Sequence, residues 1–288
     1  MCLTILGGKG FVGGAYVKQF YDAAIGNIAS VNEREDYNVY SKSVLYFIST
    51  VHNYHVFDAP QLDIETNLTT LIRVLENWRK RPDSAEGTFN FISSWFVYGP
   101  QSFPFGINEG AHCNPRGFYS ITKRCAEQLL ISYCETYNLR YRILRLGNVV
   151  GLGDAKVSAK KNALQHLINM VAANEPVEIY GSGQFYRDYI HVADCTRAID
   201  LVLRRGERDA IYNVGNGHKV ADDLLTILRY VKQQTGSTSE FKFIPAKKFH
   251  KTVQVETFGM EVSKLAALGY APEYTGAKLY DTLFNGGK

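Results

Sequence analysis

Short apolar runs alternate with longer amphipathic stretches through the first half of the chain. The apolar runs predict strands, at residues 3–6, 28–31, 44–48, 89–92 and 142–146. The longer stretches carry a helical period and predict helices, at residues 12–25, 63–79 and 118–137. Since continuously apolar strands separated by amphipathic helices are typical of a parallel sheet covered on both faces, the pattern predicts an α/β fold with a doubly wound parallel sheet.

The pattern becomes less regular after about residue 155. Helical stretches alternate there with short strands, at residues 160–174, 177–180, 192–204 and 221–233. We therefore expect a larger first domain over residues 1–155 and a smaller C-terminal α/β lobe over residues 156–288. Whether chain segments of the two are interleaved stays open at this point.

The composition is that of an ordinary globular protein. The 288 residues include 32 Lys+Arg and 28 Asp+Glu, for a formal charge of +4, and 45% are hydrophobic. Because the charges are nearly balanced and form no basic block, nucleic acid is not expected as a partner. No apolar run approaches the roughly 18 residues of a membrane span, and the N-terminus lacks the basic region and cleavage site of a signal peptide.

The cysteines bear on compartment and metal binding. They are five in number and include no CxxC pair. Neither a disulfide framework nor a metal site is therefore expected, and reduced thiols indicate a cytoplasmic protein.

A glycine-rich turn follows the first predicted strand and leads into the first helix. Gly7, Gly10 and Gly13 stand in the spacing GxxGxxG, with Phe11 and Val12 between the last two. Such a turn allows close approach of the backbone to a pyrophosphate, whose charge the helix N-terminus stabilises. The motif predicts that the first domain binds a dinucleotide through these five residues, and a glycine turn without a ligand is the alternative.

The residue that would bind the adenosine ribose is expected at the tip of the second strand. Glu33 in this position favours NAD, because its carboxylate can accept the ribose hydroxyls. Arg34 beside it can instead face a 2′-phosphate and favour NADP. The sequence leaves NAD and NADP open here, with a solvated turn as the third interpretation.

Three side chains can carry proton-transfer chemistry. Tyr119 and Lys123 are four apart on a predicted helix and so share one face, where an ammonium would lower the pKa of the phenol. Ser94 ends a buried strand, and functional residues of doubly wound sheets collect at such carboxyl ends. Its hydroxyl can share a substrate oxygen with Tyr119. Each signal alone is weak, but their order along the chain is specific.

With these motifs the chain resembles the extended short-chain dehydrogenase/reductase family, which includes the nucleotide-sugar epimerases and dehydratases. The resemblance covers essentially the full length and implies a Rossmann-type domain followed by a substrate-binding lobe. It implies that Ser94, Tyr119 and Lys123 are the catalytic residues, with a 25-residue separation between the first two. Tyr119 and Lys123 would also contact the cofactor, and Ser94 the substrate.

The resemblance assigns three further residues. Asn67 looks like the Asn that lies beside the cofactor. Asn148, in the segment RLGNVVG, resembles the Asn that contacts the nucleotide sugar. Arg187, in the segment RDYIHVAD, is similar to the Arg that binds substrate phosphate. The basic residues Lys247, Lys248, His250 and Lys251 supply either a second phosphate contact or a solvated loop.

The implied activity is NAD(P)-dependent epimerisation of a nucleotide-activated sugar through a 4-keto intermediate, with Tyr119 as the base. An NADPH-dependent 4-keto-sugar nucleotide reductase is the enzyme alternative, and a non-catalytic cofactor-binding sensor or scaffold is the other. Trp95 and Phe96 follow Ser94 where dehydratases of the family carry acidic residues, so dehydration is disfavoured. The resemblance also implies a homodimer through the helices at 63–79 and 118–137.

The chain departs from the family by its length near the N-terminus. The segment between residues 14 and 44 is too short for the third strand that the resemblance implies. We therefore expect the adenine end of the cofactor site to differ from that of the family.

Overall fold

The computed structural model describes residues 2–21, 29–31, 35–154, 157–158, 161–217, 222–253 and 257–284. Its strands are β1 (Leu3–Leu6), β2 (Ala29–Val31), β3 (Ser43–Tyr46), β4 (Phe89–Ser94), β5 (Phe105–Ile107), β6 (Tyr141–Leu146), β7 (Asn148–Val150), β8 (Val177–Tyr180), β9 (Tyr189–His191), β10 (Ala210–Val214), β11 (Phe241–Ile244) and β12 (Gly259–Met260).

The helices lie mostly between these strands. They are α1 (Phe11–Phe20), α2 (His55–Asp58), α3 (Gln61–Ile64), α4 (Thr70–Arg79), α5 (Phe118–Thr136), α6 (Ala163–Ala172), α7 (Val192–Arg205), α8 (Leu224–Thr235), α9 (Lys248–Val253), α10 (Ser263–Ala266) and α11 (Gly276–Phe284). A π-helical turn, Glu65–Thr69, joins α3 to α4.

A six-stranded parallel sheet forms the centre of the molecule, in the order β10-β6-β4-β3-β1-β2. Both faces are covered. Leu3 and Ile5 of β1 face a core shared with α1 and α7, and Leu6 faces a core shared with α4 and α5. The α/β fold with a doubly wound parallel sheet is therefore confirmed.

The strand order reverses at β1. The chain passes from β1 to β2 on one side and then returns to place β3 on the other side. Ligands of open α/β sheets bind outside the carboxyl ends of the strands at such a switch point. Among the described residues no strand lies beyond β2, so the short segment between residues 14 and 44 coincides with a sheet that ends at β2.

The second lobe is built around the pair β8–β11, which packs with α6, α8 and α11. However, α7 packs against α1, and β10 pairs with β6 at the edge of the large sheet. A boundary at residue 155 therefore divides the large sheet and its covering helices. Strand β10 and helix α7 lie beyond this residue but pack with elements of the first 155 residues. The division into two domains, with or without interleaved segments, stays a prediction.

A fully buried carboxylate ties α5 to the sheet. Glu127 accepts hydrogen bonds from Arg145 of β6 (Nη2 to Oε2, 2.8 Å; Nε to Oε1, 3.0 Å) and from Ser93 of β4 (2.6 Å). Arg124 adds a further contact at 2.8 Å. These partners hold the pKa of Glu127 below its ordinary value against the opposing effect of burial. An ionised Glu127 therefore connects α5 to two strands at once.

We expect Glu127→Gln to destabilise the protein by about 3–5 kcal/mol, because it leaves the guanidinium of Arg145 buried without its counter-charge. Urea unfolding monitored by circular dichroism measures the free energy of unfolding. Glu135→Gln is the matched control, since Glu135 is exposed on the same helix. Equal unfolding free energies for the two variants would contradict this role of Glu127.

Candidate active site

The turn after β1 requires glycine at two positions. Gly7 has φ of 78°, in the left-handed region that favours glycine. A Cβ on Gly13 would lie 2.5 Å from the carbonyl oxygen of Gly7, closer than any real contact. The Gly10 amide donates to that same oxygen at 3.1 Å, and α1 begins at the next residue.

The N-terminus of α1 fits a pyrophosphate. Its first turn contains no acidic residue, and its N-cap, Gly10, has no side chain with which to cap the free amides. The ten-residue helix therefore presents N–H groups and the positive end of its dipole toward the cleft. Phe11 and Val12 line the cleft beside the three glycines. Glu33 and Arg34, predicted to select the cofactor, lie outside the described residues.

A cleft of about 2070 Å³ runs along the carboxyl ends of the central strands and under the second lobe. It brings together most of the residues predicted from the sequence, namely Gly7, Gly10, Phe11, Val12, Gly13, Ser94, Tyr119, Lys123, Asn148 and Arg187. A single cleft thus joins the glycine turn to the proposed catalytic side chains and to the second lobe.

Tyr119 lines this cleft, and two serine hydroxyls lie near its phenol. The side chains of Ser94 and Ser49 lower the pKa of Tyr119. Burial has the larger effect and, with the charge of Asp63, raises the pKa of Tyr119 above its ordinary value. The structure thus adds the two serine hydroxyls to the groups that lower this pKa, and the effect expected of Lys123 stays a prediction.

Lys123 is 2% exposed and donates from Nζ to the carbonyl oxygen of Ile92 at 2.6 Å. Its ammonium also lies 4.2 Å from the centre of the Phe91 ring. Burial lowers the pKa of Lys123 to about 7, and the carboxylate of Glu127 only partly opposes this shift. At neutral pH the side chain can therefore gain or lose a proton beside Tyr119.

Asn67 lies behind the wall of the cleft instead of in it. Its amide nitrogen donates to Thr50 and Thr122, both at 2.9 Å, and its oxygen accepts from the Ser49 hydroxyl at 3.1 Å and the Thr50 amide at 3.0 Å. All four hydrogen-bonding positions of the amide are used within the protein. Asn67 thus positions the loop that carries Ser49, and a direct contact of Asn67 with the cofactor stays a prediction.

The sequence analysis missed Ser49, Thr50 and Asp63. Ser49 and Thr50 follow β3 in the way that Ser93 and Ser94 end β4, which is the signal that would have found them. Thr50 donates to the carboxylate of Asp63, which is fully buried. Hydrogen bonds therefore connect Asp63 of α3 through Thr50 and Asn67 to Ser49, whose side chain lowers the pKa of Tyr119.

The substrate end of the cleft combines a cation with aromatic rings. The guanidinium of Arg187 lies 5.2 Å from the Trp95 ring and 5.5 Å from the Phe185 ring. Phe96 meets Tyr119 edge-on, with centroids 6.1 Å apart. Asn148 lies at the start of β7, where its backbone amide donates to the Asp188 carbonyl at 2.9 Å.

Two short helices from opposite lobes meet across the cleft. The Tyr54 hydroxyl and His250 Nε2 are 2.7 Å apart, and the rings of Phe57 and Phe249 are 4.7 Å apart. Of the basic residues singled out in the sequence, Lys247, His250 and Lys251 line the cleft. Lys248 does not line it.

The fold and this cleft define a dinucleotide-binding α/β enzyme with a Tyr–Lys–Ser constellation. A protein-family model described as the NAD dependent epimerase/dehydratase family matches residues 42–215, more than half of the chain. The chain belongs to this family. Its relatives are enzymes, which act as sugar-nucleotide epimerases and dehydratases, and the family uses NAD.

Individual relatives are distant. A putative UDP-glucose 4-epimerase of Methanocaldococcus jannaschii is 24% identical over 94% of this chain and 93% of its own length. The low-salt glycan biosynthesis protein Agl12 of Haloferax volcanii is 30% identical over 56% of this chain, and the match spans only 49% of Agl12. The UDP-glucose 4-epimerase of Thermus thermophilus, solved with NAD, is 24% identical with a TM-score of 0.80 and full coverage of both chains. That likeness shows the fold.

The described residues contain neither a bilayer-spanning helix nor a metal-binding cluster. None of their helices combines the length and the apolar character that a bilayer crossing needs. Nor do these residues contain three or more His, Cys, Asp or Glu side chains grouped to hold a metal ion.

We expect Lys123→Met to stabilise the protein near neutral pH. In the unfolded chain the pKa of Lys123 is 10.5, whereas in the folded protein it is about 7. Between these values the unfolded state holds the extra proton, so the free energy of unfolding of the wild type rises with pH. The methionine variant lacks this contribution and should be more stable at pH 6, with a flatter rise from pH 7 to pH 10.

Urea unfolding at a series of pH values measures both effects. Lys80→Met is the control, because the Lys80 side chain is 67% exposed and should give the wild-type profile. A loss of stability in Lys123→Met at every pH would show that the bond to Ile92 outweighs the cost of burying the ammonium.

Proposed function

We propose that this protein is an NAD-dependent epimerase of a nucleotide-activated sugar that works through a 4-keto intermediate. The observation that carries the proposal is the position of Tyr119, flanked by Ser94 and Ser49, in the same cleft as the glycine turn. A sugar hydroxyl that reaches this phenol also reaches the neighbouring serine hydroxyls. Bound NAD supplies the reversible redox step at the sugar carbon.

The protein residues handle the proton and the developing charge. Tyr119 accepts the proton of the sugar hydroxyl as the carbon is oxidised, and returns it when the keto group is reduced. Ser94 donates to the same sugar oxygen and stabilises its negative charge. Lys123, with its pKa near 7, is matched to the pH at which Tyr119 must exchange its proton.

The aromatic pair after Ser94 supports epimerisation over dehydration. Trp95 is buried, and Phe96 faces the ring of Tyr119. Neither side chain can donate a proton to a leaving hydroxyl. A sugar beside Tyr119 can therefore be oxidised and reduced at one carbon, and these two positions supply no acid that would eliminate water.

The second lobe supports a nucleotide diphosphate as the activating group. Arg187 lies in the cleft between two aromatic rings, and Asn148 lies on the neighbouring strand. A guanidinium in this setting binds phosphate oxygens through parallel hydrogen bonds. The cytoplasmic location expected from the cysteines is a part of this proposal, and all five thiols are free.

We expect Tyr119→Phe to reduce turnover by about 100- to 10,000-fold, because it removes the group that moves the proton. The assay incubates the protein with NAD and either a UDP-hexose or a dTDP-hexose. Chromatography then measures the conversion of each nucleotide sugar into its 4-epimer. Tyr137→Phe, at the exposed end of the same helix, should retain wild-type turnover.

The assay also separates the alternatives. Consumption of NADPH in step with reduction of a 4-keto-sugar nucleotide, without epimerisation, would identify a reductase. NAD binding without turnover of any nucleotide sugar would identify a sensor or scaffold.

We further propose that the protein is a homodimer that packs through α3, α4 and α5. A stripe of partly exposed apolar side chains runs along α5 through Phe118, Ile121 and Leu129. Leu62 and Ile64 of α3 are exposed as well. Exposed apolar side chains that share one face of a helix are typical of a protein–protein interface.

We expect Leu129→Glu to convert a dimer of twice 32.4 kDa into a monomer, because Leu129 is 39% exposed within the stripe. Sedimentation velocity gives the mass. Leu152→Glu, with a comparably exposed leucine outside the stripe, is the control. Leu130 is unsuitable for this test, since it is fully buried in the core and a charge there would unfold the protein. A wild type that sediments as a monomer would contradict the dimer.

A further inference from the structure

Residues 36–42, which lead into β3, form an irregular segment that we call the strap. β2 ends at Val31 and β3 begins at Ser43, and residues 36–42 form neither helix nor strand. Strands of a doubly wound sheet are normally connected through a helix. Here the chain returns to the start of β3 over the face of the sheet that also carries α4, because Val39 and Tyr37 join the core of that face.

Side chains of α4 and the turn after it fix the backbone of this strap. Asn77 donates to the carbonyl of Tyr37 at 3.0 Å, and Trp78 donates to that of Lys42 at 2.8 Å. Arg81 donates to the Val39 carbonyl at 3.1 Å. From the other side, the Thr4 hydroxyl of β1 accepts from the amides of residues 40 and 41, both at 2.9 Å. The strap is thus held in one conformation without being part of the sheet.

Tyr37 is the aromatic residue that this strap presents to the cleft. It lines the cleft together with Gly7, Ile48 and Thr70. Its carbonyl is held by Asn77, and the guanidinium of Arg73 lies 5.2 Å from its ring centre. The ring is therefore a fixed apolar surface at the β2 end of the cleft.

The strand order indicates which part of a bound dinucleotide would lie beside the Tyr37 ring. The glycine turn follows β1, Ser94 ends β4 on one side of it, and the strap follows β2 on the other side. A dinucleotide whose pyrophosphate lies on the glycine turn and whose nicotinamide lies near Tyr119 must extend its adenosine toward Tyr37. Glu35 and Asp36 line the same end and would repel a phosphate, which leaves the adenine base as the group that fits.

We propose that Tyr37 is the stacking surface for the adenine ring of the dinucleotide and replaces the contacts that a third strand would provide. This inference rests on the proposed NAD-dependent function. Tyr37 would contribute affinity for the adenosine part of the dinucleotide. It lies on the opposite side of the glycine turn from Ser94 and Tyr119.

Isothermal titration calorimetry with NAD and with ADP-ribose tests the proposal. We expect Tyr37→Ala to weaken the binding of both ligands by about 5- to 100-fold, the range that stacking of one base on an aromatic ring contributes. Tyr37→Phe keeps the ring and should bind both within about twofold of the wild type. Tyr137→Ala is the matched control, because its ring also lies under an arginine, Arg79, but outside the cleft.

The binding results distinguish a failure of the stacking role from a failure of the proposed function. Unchanged binding by Tyr37→Ala, with a wild type that binds NAD, would overturn the stacking role and leave the proposed function intact. A loss in Tyr37→Phe as large as that in Tyr37→Ala would also overturn it, since the hydroxyl would then be the binding group. A wild type that binds neither ligand would overturn the proposed function itself. If Tyr37→Ala fails to fold, Tyr37→Leu keeps an apolar side chain without a ring and should show the same loss.

Discussion

The geometry of the candidate active site depends on the buried carboxylate of Glu127. This one side chain receives hydrogen bonds from Arg145 of β6 and from Ser93 of β4. Helix α5 also carries Tyr119 and Lys123, and Ser93 immediately precedes Ser94. The helix that carries the proposed base, Tyr119, and the strand that carries the proposed assisting hydroxyl, Ser94, are therefore held together by a single ionic cluster. Because an unpaired charge in this position is strongly unfavourable, the cluster also penalises any packing of α5 in which the catalytic side chains are displaced.

Burial shifts the pKa values of Tyr119 and Lys123 away from the ionised forms that the proposed chemistry uses. It raises the pKa of Tyr119 and lowers that of Lys123 to about 7, so both side chains are biased toward their neutral forms. The hydroxyls of Ser49 and Ser94 offset part of this bias at the phenol. A neutral phenol must lose its proton before it can act as the base, and hydroxyls that stabilise the phenolate make that loss easier. In the proposed function, the two serines therefore contribute to the acid–base role of Tyr119.

The sequence predicted the features that local patterns determine. The apolar runs marked five of the six strands of the large sheet, all except β10, and the spacing of Ser94, Tyr119 and Lys123 marked residues that the fold brings into one cleft. What it could not predict arises from contacts between distant segments. The helical period does not distinguish an exposed Leu129 from a buried Leu130, because both lie near the boundary of the apolar face. Nor does any local pattern reveal that Asn67 uses its whole amide within the protein, since its partners come from a loop and from α5.

The backbone is held in place in different ways at the two ends of the cleft. The catalytic end rests on β4 and α5, whose backbone positions are fixed by regular hydrogen bonding and by the buried ionic cluster. The adenosine end rests on a strap whose carbonyls are satisfied one at a time by side chains of α4 and the turn that follows it. Buried backbone groups must be paired in either case, and here side chains pair the carbonyls that neighbouring strands would pair in a sheet. A change in the strap can therefore alter how the adenosine is held while the phenol and its serine partners remain in place.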